Sequence, residues 1–242
     1  MQAYLQEGRM EEESTGQEVV LITKGGIDYY YIGLAEVIWK VVTVIINSRL
    51  TTFIAFHGVL HGFWVGCSTG TTSLEAKLLQ RLMAMSYEVL YEIFLDLHKV
   101  YEALDRDRCL EILEGYGVGP WAHHILGHYW YRLTMVDLTG RYYGATLQGF
   151  QWVNQGYLLS PTIFNKVVDA VVCNWVSLVL GGAAEPDLRG KEVIYCAAFF
   201  YAQNGLVTST DPEWLHGAFD TLIGLFDRVG LRANVSKIVR ML

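Results

Sequence analysis

The sequence predicts an α+β fold with an antiparallel sheet, because short β-prone runs, apolar helices, a hairpin signal and a closing amphipathic helix follow one another along the chain. The hairpin signal is the most direct. Val193 to Tyr201 and Leu206 to Ser209 are β-prone runs joined by Ala202-Gln203-Asn204-Gly205, and Asn-Gly favours a tight reversal with Gln203 and Asn204 at its tip. Upstream, Tyr87 to Leu97 alternates Val89, Tyr91, Ile93 and Leu95 onto one face and places Asp96 at a strand end. Asp211 then offers a helix N-cap, with Pro212 at the first helical position.

The remaining elements follow in order. Residues 1–18 crowd Glu7, Glu11, Glu12, Glu13 and Glu18 with little apolar periodicity, so this stretch reads as a disordered, solvated tail ahead of one domain from residue 19 to 242. Val19 to Ile22 is a short β-prone run stopped by the Lys24-Gly25-Gly26 turn, and Leu34 to Leu50 has apolar residues at helical spacing. Thr72 followed by Glu75 has the capping-box pattern and opens an apolar helix, Leu74 to Met85. The pattern turns helical again from Asp105, closes at Gly115, Gly117, Gly119 and Pro120, and resumes through His123 to Leu133. Beyond Ser160-Pro161, Thr162 to Leu180 reads as a long buried helix, and the last helix, with Trp214, Leu215, Phe219, Leu222 and Phe226 on one stripe, ends at Gly230.

Composition narrows the function classes. A chain of 242 residues that is 52% hydrophobic can bury a substantial core. The formal net charge is −7; the tail's five glutamates against Arg9 contribute −4, which leaves −3 for the rest, an acidic balance that counts against strong non-specific binding of phosphates. Cys67, Cys109, Cys173 and Cys196 form no C-x-x-C pair, which excludes a zinc ribbon or a dithiol redox motif and fits a reducing compartment. No basic and apolar leader pattern opens the chain, so an intracellular protein is expected, in cytoplasm or nucleus. Ile32 to Ile46 and Ala170 to Ala184 are apolar but shorter than the roughly 18 to 20 residues a span needs, so they read as core and no membrane is expected. His57 with His61, and His123, His124 and His128, have no carboxylate or cysteine at metal-motif spacing and read as ordinary histidines.

Four groups of residues carry a resemblance that covers nearly all the chain from about residue 19. They are Phe94-Leu95-Asp96-Leu97-His98-Lys99 with Tyr101 and Leu104-Asp105-Arg106; Val153-Asn154-Gln155-Gly156 with Leu159-Ser160-Pro161-Thr162-Ile163-Phe164-Asn165; Phe200-Tyr201-Ala202-Gln203-Asn204-Gly205; and Gly230-Leu231 with Asn234 and Lys237. In this order they resemble the palm motifs of the reverse transcriptases of non-LTR retrotransposons. The resemblance implies fingers over about residues 19–88 and a palm with an antiparallel sheet over about 89–242, with the thumb absent. It implies Mg²⁺ as cofactor, with Asp96 as metal ligand and primer-template and deoxynucleotides as substrates. Lys24, Tyr101, Gln155 and Gly156 then fall at nucleotide-binding positions, with Tyr101 at the aromatic gate and Lys237 where a lysine faces the leaving pyrophosphate.

The departures from the family pattern decide the expected activity. Where the family has Tyr-Ala-Asp-Asp on a hairpin, this chain has Tyr201-Ala202-Gln203-Asn204; where the family has an Arg before its Pro-Ile or Gly-Ile pair, it has Tyr30-Tyr31-Ile32; and Gln-Gly-Asp-Pro becomes Gln155-Gly156-Tyr157-Leu158. Two Mg²⁺ ions need anionic oxygens. Of three carboxylates only Asp96 remains, so a catalytically inactive, degenerate copy is expected. Alternatives from other classes are a protein-interaction module built on a dead palm, self-associating or binding a partner, and residual nucleic-acid binding without chemistry. Gly66-Cys67-Ser68-Thr69-Gly70 also matches G-x-S-x-G, which raises a serine hydrolase using Ser68 and His216, although few residues precede it to form the strands such an elbow requires.

Overall fold

The computed structural model describes residues 16–25, 28–34, 37–53, 68–86, 88–132, 134–137, 146–148, 158–179 and 196–241. In chain order these form β1 (Gly16–Gly25), β2 (Asp28–Leu34), α1 (Val37–Phe53), α2 (Thr69–Met85), β3 (Tyr91–His98), the short turn of helix α3 (Val100–Ala103), α4 (Arg106–Gly115), α5 (Pro120–Arg132), β4 (Thr134–Asp137) and β5 (Thr146–Gln148). There follow α6 (Leu159–Val179), β6 (Cys196–Tyr201), β7 (Asn204–Ser209), α7 (Pro212–Arg228), β8 (Arg232–Ala233), a 3-10 turn at Val235–Lys237 and β9 (Val239–Met241). The chain divides into two compact units, residues 1–55 with 101–164, and 56–100 with 165–242. Each unit is assembled from two stretches of chain.

The first unit holds a sheet of order β2-β1-β4-β5, in which β1 and β4 run parallel and the other pairs antiparallel. Its first strand begins at Gly16, so the end of the stretch read as tail is sheet. Its helices bury Trp39, Val42, Ile46 and Leu50 of α1, Leu110 and Leu113 of α4, and Ile125, Leu126 and Trp130 of α5. Asp105 caps α4 by accepting from the backbone N–H groups of Asp107 and Arg108 at 2.9 and 3.1 Å. Gly117, at φ 81°, closes the same helix as the left-handed residue that satisfies its last carbonyls. The Arg49 guanidinium lies 5.9 Å from the Trp121 ring centre, and Thr162 donates to Asn47 at 2.6 Å.

The second unit holds an antiparallel sheet of order β6-β7-β3-β8, with β9 also on β3. α7 covers it with Leu215, Ala218, Phe219, Leu222, Leu225 and Phe226, all buried at helical spacing. Phe226 meets Phe200 of β6 edge-on at 6.0 Å, and the Trp175 indole of α6 donates to the Ala218 carbonyl at 2.6 Å. The start of α7 is the one expected: Asp211 accepts from Glu213 and Trp214 N–H groups, with Pro212 in the first turn. Its end is a left-handed Gly230 at φ 83°, with Leu231 N–H bonded to the Phe226 carbonyl and Gly230 N–H to that of Asp227.

Three local expectations are corrected. Helix α2 starts at Thr69, because Ser68 is extended and closes a capping box with Thr71, ahead of the Thr72–Glu75 pattern. Helix α6 starts at Leu159, because proline in a first turn lacks only an N–H that would have had no helical partner. That start makes α6 a helix of 21 residues, long and apolar enough to cross a bilayer by length and composition, whereas the shorter apolar run read from the sequence, Ala170 to Ala184, lies only partly within it. Its most apolar window is 56% buried in protein, and Asn165, Lys166 and Asp169 are among its buried residues, as fits a core helix. The hairpin loop is Ala202-Gln203, because Tyr201 pairs with Asn204, so Asn204 opens β7 and is not at the tip.

Candidate active site

β3 is the central strand of its sheet, flanked by β7 on one edge and by β8 and β9 on the other. Strand alternation sends Ile93, Leu95 and Leu97, each 2% exposed, to one face and Glu92, Phe94 and Asp96 to the other. Glu92 accepts from Gln80 of α2 at 2.9 and 3.0 Å. Asp96, two residues from the strand end, meets elements from both edges.

On one edge Asn204 lies directly opposite Asp96, and directly opposed residues share a face with Cβ atoms about 4.5 to 5.5 Å apart. Gln203 is fixed from two sides: its carbonyl accepts from Leu97 N–H at 2.8 Å, and its side-chain Nε2 reaches Asp96 Oδ1 at 3.5 Å. The loop bends through Ala202 at φ 51°, a left-handed conformation that side chains with a Cβ rarely adopt. Gly205 serves a different purpose from the turn it was read to make. A Cβ there would come within 2.6 Å of Phe200 Cε1, so the glycine lets the Phe200 ring lie over the strand behind the tip.

On the other edge, Asn234 bonds Asp96 twice, through its backbone N–H to the Asp96 carbonyl at 2.7 Å and through Nδ2 to Oδ2 at 3.3 Å. Ser236 in turn donates to Asn234 Oδ1 at 2.7 Å. One turn later Lys237 Nζ stands 3.0 Å from Asp96 Oδ2, with the lysine side chain 62% exposed and the aspartate 12%. The carboxylate thus receives three side-chain donors from two segments that lie more than a hundred residues along the chain.

The structure therefore brings together Asp96, Gln203, Asn204 and Lys237. Asn234 is a member that the sequence reading placed in a motif but not in the site; its signal was a short polar residue where a strand gives way to a turn. Tyr101 belongs to the first unit, where its ring lies 5.8 Å from that of Phe164 and burial pushes its phenol up to about 12. Lys24 lies in β1 beside an irregularity in its pairing with β2, and Gln155 and Gly156 lie outside the described residues. Ser68 Oγ is engaged by the Thr71 N–H at 3.2 Å and the Thr71 hydroxyl at 3.1 Å, the partners of a helix cap and not of a nucleophile. Among the described residues, no group of three or more His, Cys, Asp or Glu side chains is disposed to hold a metal.

Mg²⁺ prefers anionic oxygens in near-octahedral order. Here one carboxylate is available, its Oδ2 is already 3.0 Å from an ammonium, and around it stand the neutral carboxamides of Gln203, Asn204 and Asn234. These residues do not fit a two-metal centre.

None of the curated proteins compared matches the chain. Among solved structures it is similar to telomerase from Candida tropicalis in complex with a TWJ fragment of telomeric RNA, with a TM-score of 0.68 at 14% identity over 94% of this chain and 41% of that one. It is also similar to telomerase from Candida albicans with the same kind of RNA fragment, at a TM-score of 0.65, 11% identity, 94% and 41%. Apo telomerase from Candida tropicalis gives 0.67, 12%, 94% and 44%. The chain spans less than half the length of these three structures, and at such identity they speak for the fold alone. A family profile described as reverse transcriptase (RNA-dependent DNA polymerase) matches residues 22–242, and with the mixed helical and antiparallel fold in agreement, the chain belongs to the reverse transcriptase family.

Proposed function

We propose that this chain is a degenerate reverse-transcriptase domain of the non-LTR retrotransposon kind, with the sheet of the second unit as its palm, and that it does not polymerise. The observation that carries this reading is the pairing of Asp96 with Asn204 across β3 and β7, with Gln203 beside them. The positions that would supply three converging carboxylates are adjacent in space, yet they hold one carboxylate and two amides. Family members use divalent metal to activate the primer hydroxyl and stabilise the leaving group. Removing one preorganised electrostatic group commonly costs about 10² to 10³ in rate, and two are replaced here.

The test is primer extension with Mg²⁺ or Mn²⁺ by the unaltered chain beside Gln203→Asp/Asn204→Asp. No product is expected from the unaltered chain, and extension by it overturns the proposal. Extension confined to the reverted chain assigns the loss to the missing charge.

A second reading, an interaction module on a catalytically dead fold, is favoured by one observation. Leu74, Leu78, Leu82 and Met85 of α2 follow one helical stripe and are 57%, 49%, 57% and 78% exposed. Sedimentation of the chain beside Leu78→Lys/Leu82→Lys tests it; a monomer whose mass is unaffected by these changes would count against self-association.

A further inference from the structure

We infer that Lys237 acts as a resident counter-ion where the family places divalent cations, closing Asp96, Gln203 and Asn234 into a structural clasp. The inference rests on reading Gln203 and Asn204 as replaced carboxylates. Three converging carboxylates repel one another when no metal is bound, so removing one of them from such a centre relieves the fold. In this chain the sign is reversed. Asp96 is nearly out of water, its charge is matched by one ammonium at 3.0 Å, and both carboxylate oxygens accept from carboxamide N–H groups.

The three donors come from places the chain must bring together. Gln203 lies 107 residues beyond Asp96 and Asn234 138 residues beyond it, so the clasp ties the end of β3 to the hairpin loop on one side and to the 3-10 turn on the other. A divalent cation approaching Asp96 would have to displace Lys237 and Asn234 from Oδ2 and would gain only neutral amide oxygens in exchange. Restoring both aspartates changes the balance at the site from one anion against one cation to three anions against one. Lys237 would then compete with metal instead of replacing it.

The experiment is a double-mutant cycle on the full chain, read as melting temperature, with Asp96→Asn and Lys237→Met. Asp96→Asn is expected to lower Tm by about 2–4 °C and Lys237→Met by less, with the double variant no lower than Asp96→Asn alone. A rise in Tm for Asp96→Asn, or single effects that simply add, overturns the clasp. A second readout is Mn²⁺ binding by electron paramagnetic resonance. No saturable binding is expected for the unaltered chain, and adding Lys237→Met to Gln203→Asp/Asn204→Asp is expected to tighten Mn²⁺ about tenfold. Unchanged Mn²⁺ affinity on that addition also overturns the inference. The readouts separate it from the loss of catalysis: primer extension by the unaltered chain sinks the latter, whereas additive melting effects sink the clasp in an inactive chain.

Discussion

Two ion pairs in the second unit differ in nearly every respect that sets the strength of an ion pair. Lys166 and Asp169 sit one turn apart on α6 with side chains 1% and 3% exposed and a separation of 3.7 Å. Asp96 and Lys237 stand at 3.0 Å, join distant segments, and leave the lysine mostly in water. In the first pair burial pushes the Lys166 ammonium below its ordinary range and Asp169 pulls it back only in part. Desolvation therefore outweighs attraction in the buried pair, and solvent screening weakens the exposed one. The buried pair is therefore costly to break but contributes little net stability, whereas the exposed pair is weak yet joins the end of β3 to the 3-10 turn.

The largest effect is expected at the buried pair. Asp169→Ala should destabilise the fold by about 3–5 kcal/mol, measured by denaturant unfolding, because it weakens the pairing of a charge held out of water. Replacing both partners by apolar residues of similar volume, Lys166→Met with Asp169→Leu, should restore most of that loss. If the double replacement is as unstable as the single one, the buried pair contributes substantial net stability.

Next in size is the packing behind the Ala202-Gln203 tip. Gly205→Ala brings a Cβ against the Phe200 ring and should cost about 1–3 kcal/mol, recovered in part by Phe200→Leu. A neutral Gly205→Ala would mean that the tip is held by charge alone, which erases the contrast between packing and pairing.

Smaller still is Lys237→Met, expected to cost no more than about 1 kcal/mol. The gap from the unaltered chain should narrow at about 0.5 M salt, where the screening length falls to a few ångströms. An effect insensitive to salt would show that the exposed pair is as shielded as the buried one.

The smallest effect at neutral pH concerns the first unit. The Tyr101 phenol is raised to about 12 in the fold from an ordinary value of 10.0, so the unfolded chain loses this proton first as pH rises. Its contribution is therefore fully present below pH 10 and is lost as pH climbs towards 12. Tyr101→Phe should flatten that part of the alkaline stability profile and leave stability at pH 7 unchanged; identical alkaline profiles would refute the assignment to Tyr101.

Signals confined to a few consecutive residues were legible. Asp211-Pro212 started α7 and Gly230 ended it; Asp105 capped α4; and Asp96 sat near the end of a strand. Local reading failed where a competing partner lay close by. Ser68 took the cap that Thr72 was expected to provide, and the pairing of Tyr201 with Asn204 moved the turn one residue upstream, onto Ala202-Gln203. β4 and β5 were not anticipated, since strands of four and three residues carry too few alternations to register and exist through pairing with β1 and with each other.

The residue order is enough to specify the chemistry available at the site, one aspartate, two amides and one lysine in four motif positions, together with the helices and strands that periodicity and caps encode. That Asn234 joins them, that Lys237 stands against Asp96, and that Lys166 and Asp169 are both buried follows from how distant segments pack together. Caps and periodicity act over one or two turns of chain, whereas the partner and solvation of a charge depend on which distant strand or turn folds against it.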